Sequence, residues 1–336
     1  MRAIVIHKKG QPRTLRVEEV PDPAVGRGEV LIQVRAVGVN FADVLARQGL
    51  YPDAPRLPFI PGYESSGEIL ALGEGVAEFT IGQRVLAYHT SGGYAERVAV
   101  PAAQVFAIPD LLSTQSAVVL PLNYGTAYVS LYRTGCVEPG MRLYLYAAAG
   151  GVGMAAVDLA RRAGLEIVGA ASSHYKRERL QAEGVKHVVD SRKAKVDRVA
   201  RQLYGESGFD IVIDSVGGKT IMRGMRALRA GGRLVSIGVG SISGRGILGA
   251  LALVLGAPRL NTLRLLQESR GFYGVNLARL IREPKLVRGM IEELISLAAA
   301  GEIHPEPGRV LTLGEAAHAH RLLETRRNVG KIVLRP

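Results

Sequence analysis

The sequence has very little cysteine and no long apolar segment. Cys136 is its single cysteine, which excludes a disulfide within the chain and a zinc site built from several cysteines, and which is typical of a reducing compartment. The longest apolar run, Ile247 to Ala257, is too short to cross a bilayer, which needs about 20 residues. Met1 to Gly10 has no long apolar region of the kind found in a signal peptide. We therefore expect a soluble, cytoplasmic protein.

Negative charge is also scarce relative to positive charge. The chain has 43 Lys and Arg against 30 Asp and Glu, which gives a formal net charge of +13 and a pI near 10.0. Such a surplus attracts anions, including nucleic acid, acidic lipid and nucleotide phosphates. The basic residues are spread along the whole chain, without a block of five or six and without interleaved aromatic residues. We interpret the surplus as a generally basic surface and expect no specific nucleic-acid partner.

The segment Leu143 to Arg161 has the pattern of a strand, a glycine turn and a helix. An apolar run, Leu143 to Ala147, is followed by Ala-Gly-Gly-Val-Gly and then by small residues typical of a tightly packed helix. Glycine can adopt backbone angles closed to other residues, so main-chain N–H groups can approach a pyrophosphate at the helix N-terminus. Gly153 would let the helix pack closely on the strand. The cofactor-binding residues predicted in this turn are Ala148, Gly150, Gly151, Val152 and Gly153.

The residues after the next predicted strand, Ile167 to Ala171, indicate which dinucleotide binds. An acidic residue here would bind the ribose 2′-hydroxyl of NAD. The chain has no acidic residue between Ala171 and Glu178. Ser172 or Ser173 can donate hydrogen bonds and Lys176 supplies positive charge, which suits a 2′-phosphate. The alternative is that Lys176 and its neighbour Arg177 are solvated first-turn residues of a surface helix, although cations there oppose the helix dipole. The pattern favours NADPH over NADH.

The pattern of elements changes near residue 121. Residues 1 to about 120 show short strands separated by Pro and Gly clusters, which predicts a distorted β-barrel, with one helix at Asn40 to Gln48. Beyond that point strands and helices alternate, which predicts a parallel sheet with helices on both faces and a last strand at Gly271 to Leu277. From about residue 278 the chain returns to helices, at Leu286 to Ala300 and Glu315 to Glu324, and to a closing strand at Lys331 to Leu334.

Seven segments together resemble the zinc-free quinone oxidoreductase branch of the medium-chain dehydrogenase/reductase superfamily. They are GVNFADVLARQGLY, PGYESSGEILALGEGV, GQRV, LPLNYGTAY, AAAGGVGMAAVDLAR, DSVGG and RNVGKIVL. The chain looks closest to the vesicle amine transport protein-like members, whose relatives include zeta-crystallin, and the resemblance covers essentially its whole length. It implies an α/β protein with a GroES-like β-barrel catalytic domain, residues 1–121 and 278–336, and a Rossmann NADPH-binding domain with a doubly wound parallel sheet, residues 122–277.

The resemblance also implies chemistry without a metal. Zinc-dependent relatives carry a Cys ligand and a Gly-His-Glu motif, and this chain has Asn40 and Tyr63 at the two ligand positions. A hydride from NADPH then reduces a quinone or the C=C bond of an α,β-unsaturated carbonyl. The Asn40 amide and the Tyr51 phenol are the candidate catalytic donors, because negative charge collects on a carbonyl oxygen. The alternatives are a helix-cap or turn role for Asn40 and a packing role for Tyr51.

Other residues are assigned only through the resemblance. Asn40 borders the nicotinamide, Thr126 lies near its ribose and the diphosphate, Ile237 and Gly238 flank the nicotinamide, and Asn328 reaches the cofactor from the catalytic domain. Ser191 stands where bacterial quinone reductases have a tyrosine near the cofactor phosphates. The strand Gly271 to Leu277 would pair with its twin in a homodimer, and Ser241 to Gln267 would cover the substrate cleft.

Two interpretations from other functional classes stay open. The vesicle-protein relatives have been linked to lipid handling, so the chain is alternatively a lipid- or membrane-surface-binding protein that retains NADPH as a ligand. An RNA-binding role, as described for zeta-crystallin relatives, is the other alternative.

Overall fold

A computed structural model describes residues 1–238, 240 and 260–336 and divides the chain into two compact units. The first unit comprises Met1–Asn123 and Leu280–Pro336, and the second comprises Tyr124–Arg279. The segment Ser241 to Gln267, predicted to cover a substrate cleft, falls largely outside the described residues.

The described residues form short strands and helices. The strands are β1 (Arg2–Val5), β2 (Arg16–Glu19), β3 (Glu29–Val39), β4 (Glu64–Leu72), β5 (Arg84–Tyr88), β6 (Arg97–Pro101), β7 (Val105–Ala107), β8 (Arg142–Leu145), β9 (Glu166–Ala171), β10 (His187–Asp190), β11 (Phe209–Asp214), β12 (Leu228–Ser236), β13 (Gly271–Gly274), β14 (Pro307–Thr312) and β15 (Lys331–Arg335). The helices are α1 (Phe41–Gln48), α2 (Thr114–Ala117), α3 (Gly125–Tyr128), α4 (Gly151–Arg162), α5 (His174–Ala182), α6 (Val196–Tyr204), α7 (Lys219–Ala227), α8 (Thr262–Glu268), α9 (Leu277–Leu280), α10 (Pro284–Ala299) and α11 (Ala316–Glu324). No helix within the described ranges combines the length and the apolar character that crossing a bilayer requires.

The first unit is built around the long strand β3. Its described strands form a sheet in the order β14-β15-β3-β4-β5-β7, with β6 also paired to β3, and β1 and β2 form a separate ribbon. Side chains alternate along β3, so that Val30, Ile32 and Val34 enter the core with at most 2% exposure. Because β3 pairs with β4, β6 and β15, it joins segments from both ends of the chain.

Strand β14 was not predicted from the sequence. It runs parallel to β15, whereas β15 runs antiparallel to β3. A Cβ on Gly308 would overlap the carbonyl oxygen of Val329, so the two segments can approach only because a glycine stands there. Pro307 and Gly308 look like turn residues in the sequence, and this concealed the strand.

The second unit holds the predicted parallel sheet. Its six described strands lie in the order β10-β9-β8-β11-β12-β13, and every pair is parallel. The sheet grows outward in one direction from β8 and in the other from β11, so these two strands mark the point where the strand order reverses. In open sheets of this kind ligands bind beyond the carboxyl ends of the strands at that point.

The last strand of this sheet is shorter than predicted. It ends at Gly274 instead of Leu277, because the Asn276 side chain accepts a hydrogen bond from the Ala278 N–H (3.1 Å) and begins helix α9. Strand β13 is nevertheless the outermost described strand on its side of the sheet. Pairing of two such edges in a homodimer stays a prediction.

Two histidines are enclosed in the first unit. His89 Nε2 lies 3.0 Å from the Ser65 hydroxyl oxygen, and His320 Nε2 lies 3.2 Å from the Tyr94 hydroxyl oxygen. Burial lowers the pKa of His89 to about 4 and the pKa of His320 to about 3. Both rings are therefore neutral across the physiological range.

These histidines predict how stability depends on pH. The unfolded chain binds a proton on His320 near pH 6.5, whereas the folded chain does not until about pH 3, so the free energy of unfolding falls as the pH is lowered through this window. His320→Gln should remove about 2 kcal/mol of that fall between pH 6.5 and 5, as measured by urea unfolding at a series of pH values. His318→Gln, on the exposed face of the same helix, is the control, and a profile for His320→Gln that parallels the wild type would contradict the assignment.

Candidate functional site

The glycine turn after β8 differs in one respect from the prediction. Gly150 has φ −79° and ψ 178°, a conformation that any residue adopts, and Gly151 is already helical. The left-handed conformation falls instead on Ala147, with φ 49°. The Gly150 N–H donates to the Ala147 carbonyl (2.9 Å), so the sharp bend comes before Gly150. The expectation that Gly150 and Gly151 supply unusual backbone angles is therefore wrong.

The turn still delivers a helix N-terminus to the carboxyl end of β8. Helix α4 begins at Gly151, and its first N-terminal hydrogen bond runs from the Met154 N–H to the Gly150 carbonyl (2.8 Å). The N–H groups of Gly151, Val152 and Gly153 precede that bond and have no acceptor within the helix. Together with the positive end of the helix dipole, they form a site suited to a phosphate.

Gly153 has the packing role expected of it. A Cβ at this position would overlap the Ala148 carbonyl oxygen and would lie 2.5 Å from the Ala147 oxygen and 2.6 Å from the Ala148 carbonyl carbon. These are main-chain atoms of the turn, which cannot swing aside as a flexible side chain would. Only glycine therefore allows α4 to start this close to the strand it follows.

Gly153→Ala should consequently destabilise the second unit. Inserting a methyl group into such a contact costs about 1 to 3 kcal/mol, and the loss is to be measured as the decrease in the free energy of unfolding in urea. Gly289→Ala in α10 is the matched control, because nothing lies within 4 Å of its Cβ position and alanine favours a helix by about 1 kcal/mol over glycine. Equal effects of the two substitutions would contradict the packing role.

The end of β9 presents two serines and a lysine. Ser173 is the N-cap of α5, and its hydroxyl oxygen accepts from the Lys176 N–H (3.4 Å). This cap starts the helix at His174, so Lys176 and Arg177 follow within its first turns. A serine hydroxyl that accepts in this way keeps its own proton for donation, so Ser173 can cap the helix and also donate to an anion beside Ser172.

The neighbouring arginine has a structural partner. Arg177 Nη1 lies 3.4 Å from Asp190 Oδ2 at the end of β10, which ties α5 to that strand. The Ser191 N–H donates to the Ala171 carbonyl (3.1 Å), so Ser191 lies beside the end of β9. Arg177 is thus engaged by Asp190, and the assignment of Lys176 to a phosphate stays a prediction.

The ends of β11 and β12 meet at the same edge of the sheet. Asp214 Oδ1 accepts from the N–H groups of Val216 (2.6 Å) and Gly217 (2.9 Å), and burial raises the pKa of this carboxyl. The Ile237 N–H donates to the Asp214 carbonyl (2.9 Å), and Gly238 lies beside Ser215. The structure thus places the predicted cofactor residues after β8, β9, β10 and β12 along one edge. Asp214, which shapes the loop, was missed.

Thr126 lies in a helical stretch of uncommon geometry. It belongs to α3, which packs against α4 and is flanked by π-helical turns at Leu120–Tyr124 and Val129–Arg133. Its carbonyl accepts from the Ser130 hydroxyl (2.7 Å). Such π turns occur frequently at functional sites, and the sequence offered no sign of them.

In the first unit, Asn40 stands at the N-cap of α1. The Asn40 N–H donates to Asp43 Oδ2 (2.8 Å), and Asp43 Oδ1 accepts from the Gly62 N–H (2.9 Å). Desolvation by complete burial raises the pKa of Asp43 to about 7. The cap position foreseen as the alternative for Asn40 is thus present, with Asp43 as the N3 residue of a capping box.

The Asn40 side chain also contacts a buried ion pair. Glu64, the first residue of β4, and Lys331, the first residue of β15, are paired with 0% and 1% of their side-chain surface exposed. Lys331 Nζ donates to Asn40 Oδ1 (2.6 Å) and to Asn123 Oδ1 (3.3 Å), and Asn40 Nδ2 donates to Glu64 Oε1 (2.9 Å). Sequence reasoning missed this cluster, because Glu64 and Lys331 are 267 positions apart.

Tyr51 and Asn328 complete the candidates of the first unit. Tyr51 is partly buried two residues beyond Gly49, the left-handed C-cap of α1, and its ring meets that of Tyr63 edge to face at 5.8 Å. Burial raises the pKa of Tyr63 above its usual range. Asn328 Nδ2 donates to the Gly330 carbonyl (3.1 Å), which holds it in the turn before β15.

The donor atoms at the former ligand positions do not suit zinc. Asn40 offers an amide already bonded to Lys331 and Glu64, and Tyr63 offers a phenol kept neutral by burial. Within the described residues no group of three or more His, Cys, Asp or Glu side chains is placed to hold a metal ion.

Comparison with known proteins gives matches along the chain. The family models that match are a zinc-binding dehydrogenase domain over residues 183–334 and an alcohol dehydrogenase GroES-like domain over residues 26–110. The synaptic vesicle membrane protein VAT-1 homologue of Homo sapiens is 35% identical over all of this chain and 86% of that protein.

Solved structures of oxidoreductases also match the chain over nearly its whole length. The Escherichia coli quinone oxidoreductase, determined in complex with NADPH, matches with a TM-score of 0.89 and 28% identity over all of both chains. The CurK enoyl reductase matches with a TM-score of 0.85 and 29% identity, covering 99% of this chain and 98% of that one. The predicted combination of a GroES-like fold and a Rossmann fold is thereby confirmed.

Proposed function

Because the chain belongs to the medium-chain dehydrogenase/reductase superfamily, as a zinc-free relative of the quinone oxidoreductases and of the VAT-1 homologues, we propose that it is an NADPH-dependent reductase of quinones or of the C=C bond of α,β-unsaturated carbonyls. Oxidoreduction of this superfamily's type is supported by its similarity to quinone oxidoreductase and enoyl reductase structures. The class of acceptor, a quinone or an α,β-unsaturated carbonyl, is likewise proposed.

The observation that carries the proposal is the carboxyl edge of the parallel sheet in the second unit. The N–H groups at the start of α4 suit the diphosphate, and the cradle formed at Gly153 has no room for a Cβ. Ser172, Ser173 and Lys176 follow the next strand and suit a 2′-phosphate. A dinucleotide phosphate is the ligand that these groups fit, and the absence of an acid at this strand end supports NADPH over NADH.

Lys176→Ala should therefore discriminate between the two cofactors. Loss of one charge-assisted contact to the 2′-phosphate should weaken NADPH binding at least about tenfold and leave NADH binding nearly unchanged. Calorimetric titration with each cofactor measures both constants. Lys186→Ala, which removes an exposed lysine from the same unit, controls for the general loss of positive charge. Equal losses for NADPH and NADH would contradict the 2′-phosphate assignment.

The chemistry assigned to the first unit requires donors and no metal. NADPH, when bound, supplies a hydride to the β-carbon of an enone or to a quinone ring. The two electrons of the C=C bond then move toward the carbonyl oxygen, where the Asn40 amide is proposed to donate a hydrogen bond. The phenol of Tyr51 is proposed to deliver the proton that completes the saturated product and to recover it from solvent. Quinone oxygens take their protons from water.

One experiment tests the proposal as a whole. The protein is first titrated with NADPH and with NADH, and the absorbance of NADPH is then followed with a panel of quinones, enals and enones. We expect micromolar NADPH binding, much weaker NADH binding and oxidation of NADPH by at least one class of acceptor. Absence of binding to either cofactor would contradict the proposal and bring the lipid or RNA alternatives forward.

We also propose that the protein is a homodimer in which two copies of β13 pair edge to edge. Strand β13 carries Tyr273, whose side chain is 47% exposed, and ends the order of described strands. An unpaired strand edge is a ready template for a second strand. A monomeric mass by light scattering at micromolar concentration would contradict the dimer.

A further inference from the structure

The geometry points to a role for a residue that the proposed function leaves out. We propose that Lys331, anchored by Glu64, is a positioning residue: it holds the Asn40 amide in the one orientation in which its N–H group can donate to the carbonyl oxygen of the substrate. This inference rests on the proposed function and deepens it.

The orientation of the Asn40 amide follows from the chemistry of its two partners. An ammonium group can only donate hydrogen bonds and a carboxylate can only accept them. Lys331 Nζ lies 2.6 Å from Asn40 Oδ1, and Glu64 Oε1 lies 2.9 Å from Asn40 Nδ2. Turning the amide over would set N–H against the ammonium and oxygen against the carboxylate. The ion pair therefore excludes the flipped amide.

The charged groups of Lys331 and Glu64 are fully hydrogen-bonded within the cluster. The three hydrogens of Lys331 are directed to Glu64, Asn40 and Asn123, and the second oxygen of Glu64 accepts from the Leu122 N–H (3.0 Å). Because each charged atom already has a hydrogen-bond partner, we expect neither Lys331 nor Glu64 to bind the substrate directly. Their effect on a reaction must pass through Asn40.

The backbone at Gly38 lies directly against this ion pair. A Cβ on Gly38 would overlap Glu64 Oε1 and would lie 2.7 Å from Lys331 Cε. Gly38 stands in β3, opposite Val333 of β15. Any larger residue would separate the pair, so the close approach of β3, β4 and β15 depends on glycine at this position. A buried ion pair is itself weak evidence for stability, which favours a positional role.

The two hydrogens of the Asn40 amide are held unequally, and the more weakly held one is the donor that we assign to the substrate. The hydrogen that faces Glu64 is engaged at 2.9 Å, whereas the other makes only a long contact of 3.3 Å with the Gly38 carbonyl. A positive charge against Oδ1 also draws electron density toward the oxygen and strengthens the N–H as a donor. Lys331 thus both aims and strengthens the donor proposed to meet the developing negative charge.

A double-mutant cycle separates positioning from stability. We expect Asn40→Ala and Lys331→Met each to lower kcat for the best acceptor about 10- to 100-fold, with NADPH affinity changed less than about twofold. The double variant should lose no more than Asn40→Ala alone, because both changes remove one function. Glu324→Gln breaks another buried ion pair of the same unit, Arg47 with Glu324, and should lower Tm while leaving kcat unchanged. Additive losses in the cycle would overturn the proposal, and so would a Lys331→Met variant with normal kcat.

A second measurement does not depend on turnover. In the full chain, the Asn40 side-chain amide protons should give exchange-protected nuclear magnetic resonance signals, identified by their absence in Asn40→Ala. Lys331→Met should accelerate their exchange at least tenfold, and Glu64→Gln, the milder variant should Lys331→Met not fold, should do the same. Unchanged exchange would overturn the positioning role. A wild type that shows protected signals but reduces no acceptor would count against the proposed function and not against the orientation of Asn40.

Discussion

Tyr51→Phe should lower turnover with enals about 100-fold, the lower end of what a positioned general acid contributes, and should lower turnover with quinones far less. The difference arises because an enal must receive a proton on carbon, whereas the oxygens of a reduced quinone take protons directly from water. The ring of Tyr51 meets Tyr63 edge to face at 5.8 Å, and phenylalanine preserves that contact. The variant therefore removes the hydroxyl and little else.

The measurement is NADPH oxidation with one enal and one quinone under the same conditions. Tyr63→Phe is the matched control, since it removes a hydroxyl from the other ring of the pair, whose pKa is raised by burial. We expect Tyr63→Phe to leave the ratio of the two rates unchanged. An equal loss with both acceptors in Tyr51→Phe would identify Tyr51 as a packing residue.

Glu324→Gln should lower the free energy of unfolding by about 3 to 5 kcal/mol, because it leaves the Arg47 charge buried without its counter-ion. Arg47 is 0% exposed and pairs with Glu324, which also accepts from Gln48 Nε2 (2.7 Å). Burial lowers the pKa of Arg47, and Glu324 opposes that shift. The pair joins the last turn of α1 to α11, so its loss should loosen that turn and α11 and leave Asn40, at the other end of α1, in place.

Urea unfolding followed by circular dichroism measures the loss, and hydrogen exchange of the α1 and α11 amides locates it. Glu292→Gln is the control, because it breaks an ion pair of similar chemistry between Arg288 and Glu292, whose side chains are 43% and 57% exposed. Exposed pairs on a helix contribute about 0.5 kcal/mol or less. A comparably small loss in Glu324→Gln would show that the guanidinium finds compensation elsewhere.

Local patterns in the sequence were enough to predict the elements that local physics determines. Helix α1 was expected at Asn40 to Gln48 and runs from Phe41 to Gln48, because Gly49 ends it in the left-handed conformation. The parallel sheet followed from alternating strand and helix patterns, and the close approach at Gly153 followed from the spacing of the glycine motif. Each of these signals lies within a few residues of the feature that it predicts.

Features made by distant residues were missed for the same reason. The cluster of Glu64, Lys331 and Asn40 joins three strand ends that only the folded sheet brings together, and β14 is recognisable as a strand only beside β15. The pairing of Arg177 with Asp190 likewise depends on the neighbouring positions of β9 and β10. The positive φ at Ala147 was not predicted, because such angles were expected at the glycines of the motif.

The position of β15 has a consequence for how this protein is made. Strand β15 lies inside the sheet of the first unit, between β14 and β3, and Lys331 is 291 positions beyond Asn40. At about 5 to 20 residues per second, the ribosome takes roughly 15 to 60 s to cover that distance. The strands of the second unit are translated during that time. Until β15 follows, β3 cannot form its pairing with β15 and Glu64 has no lysine partner. The sheet of the first unit can therefore be completed only after β15 has been translated, long after β3 and β4 have left the ribosome.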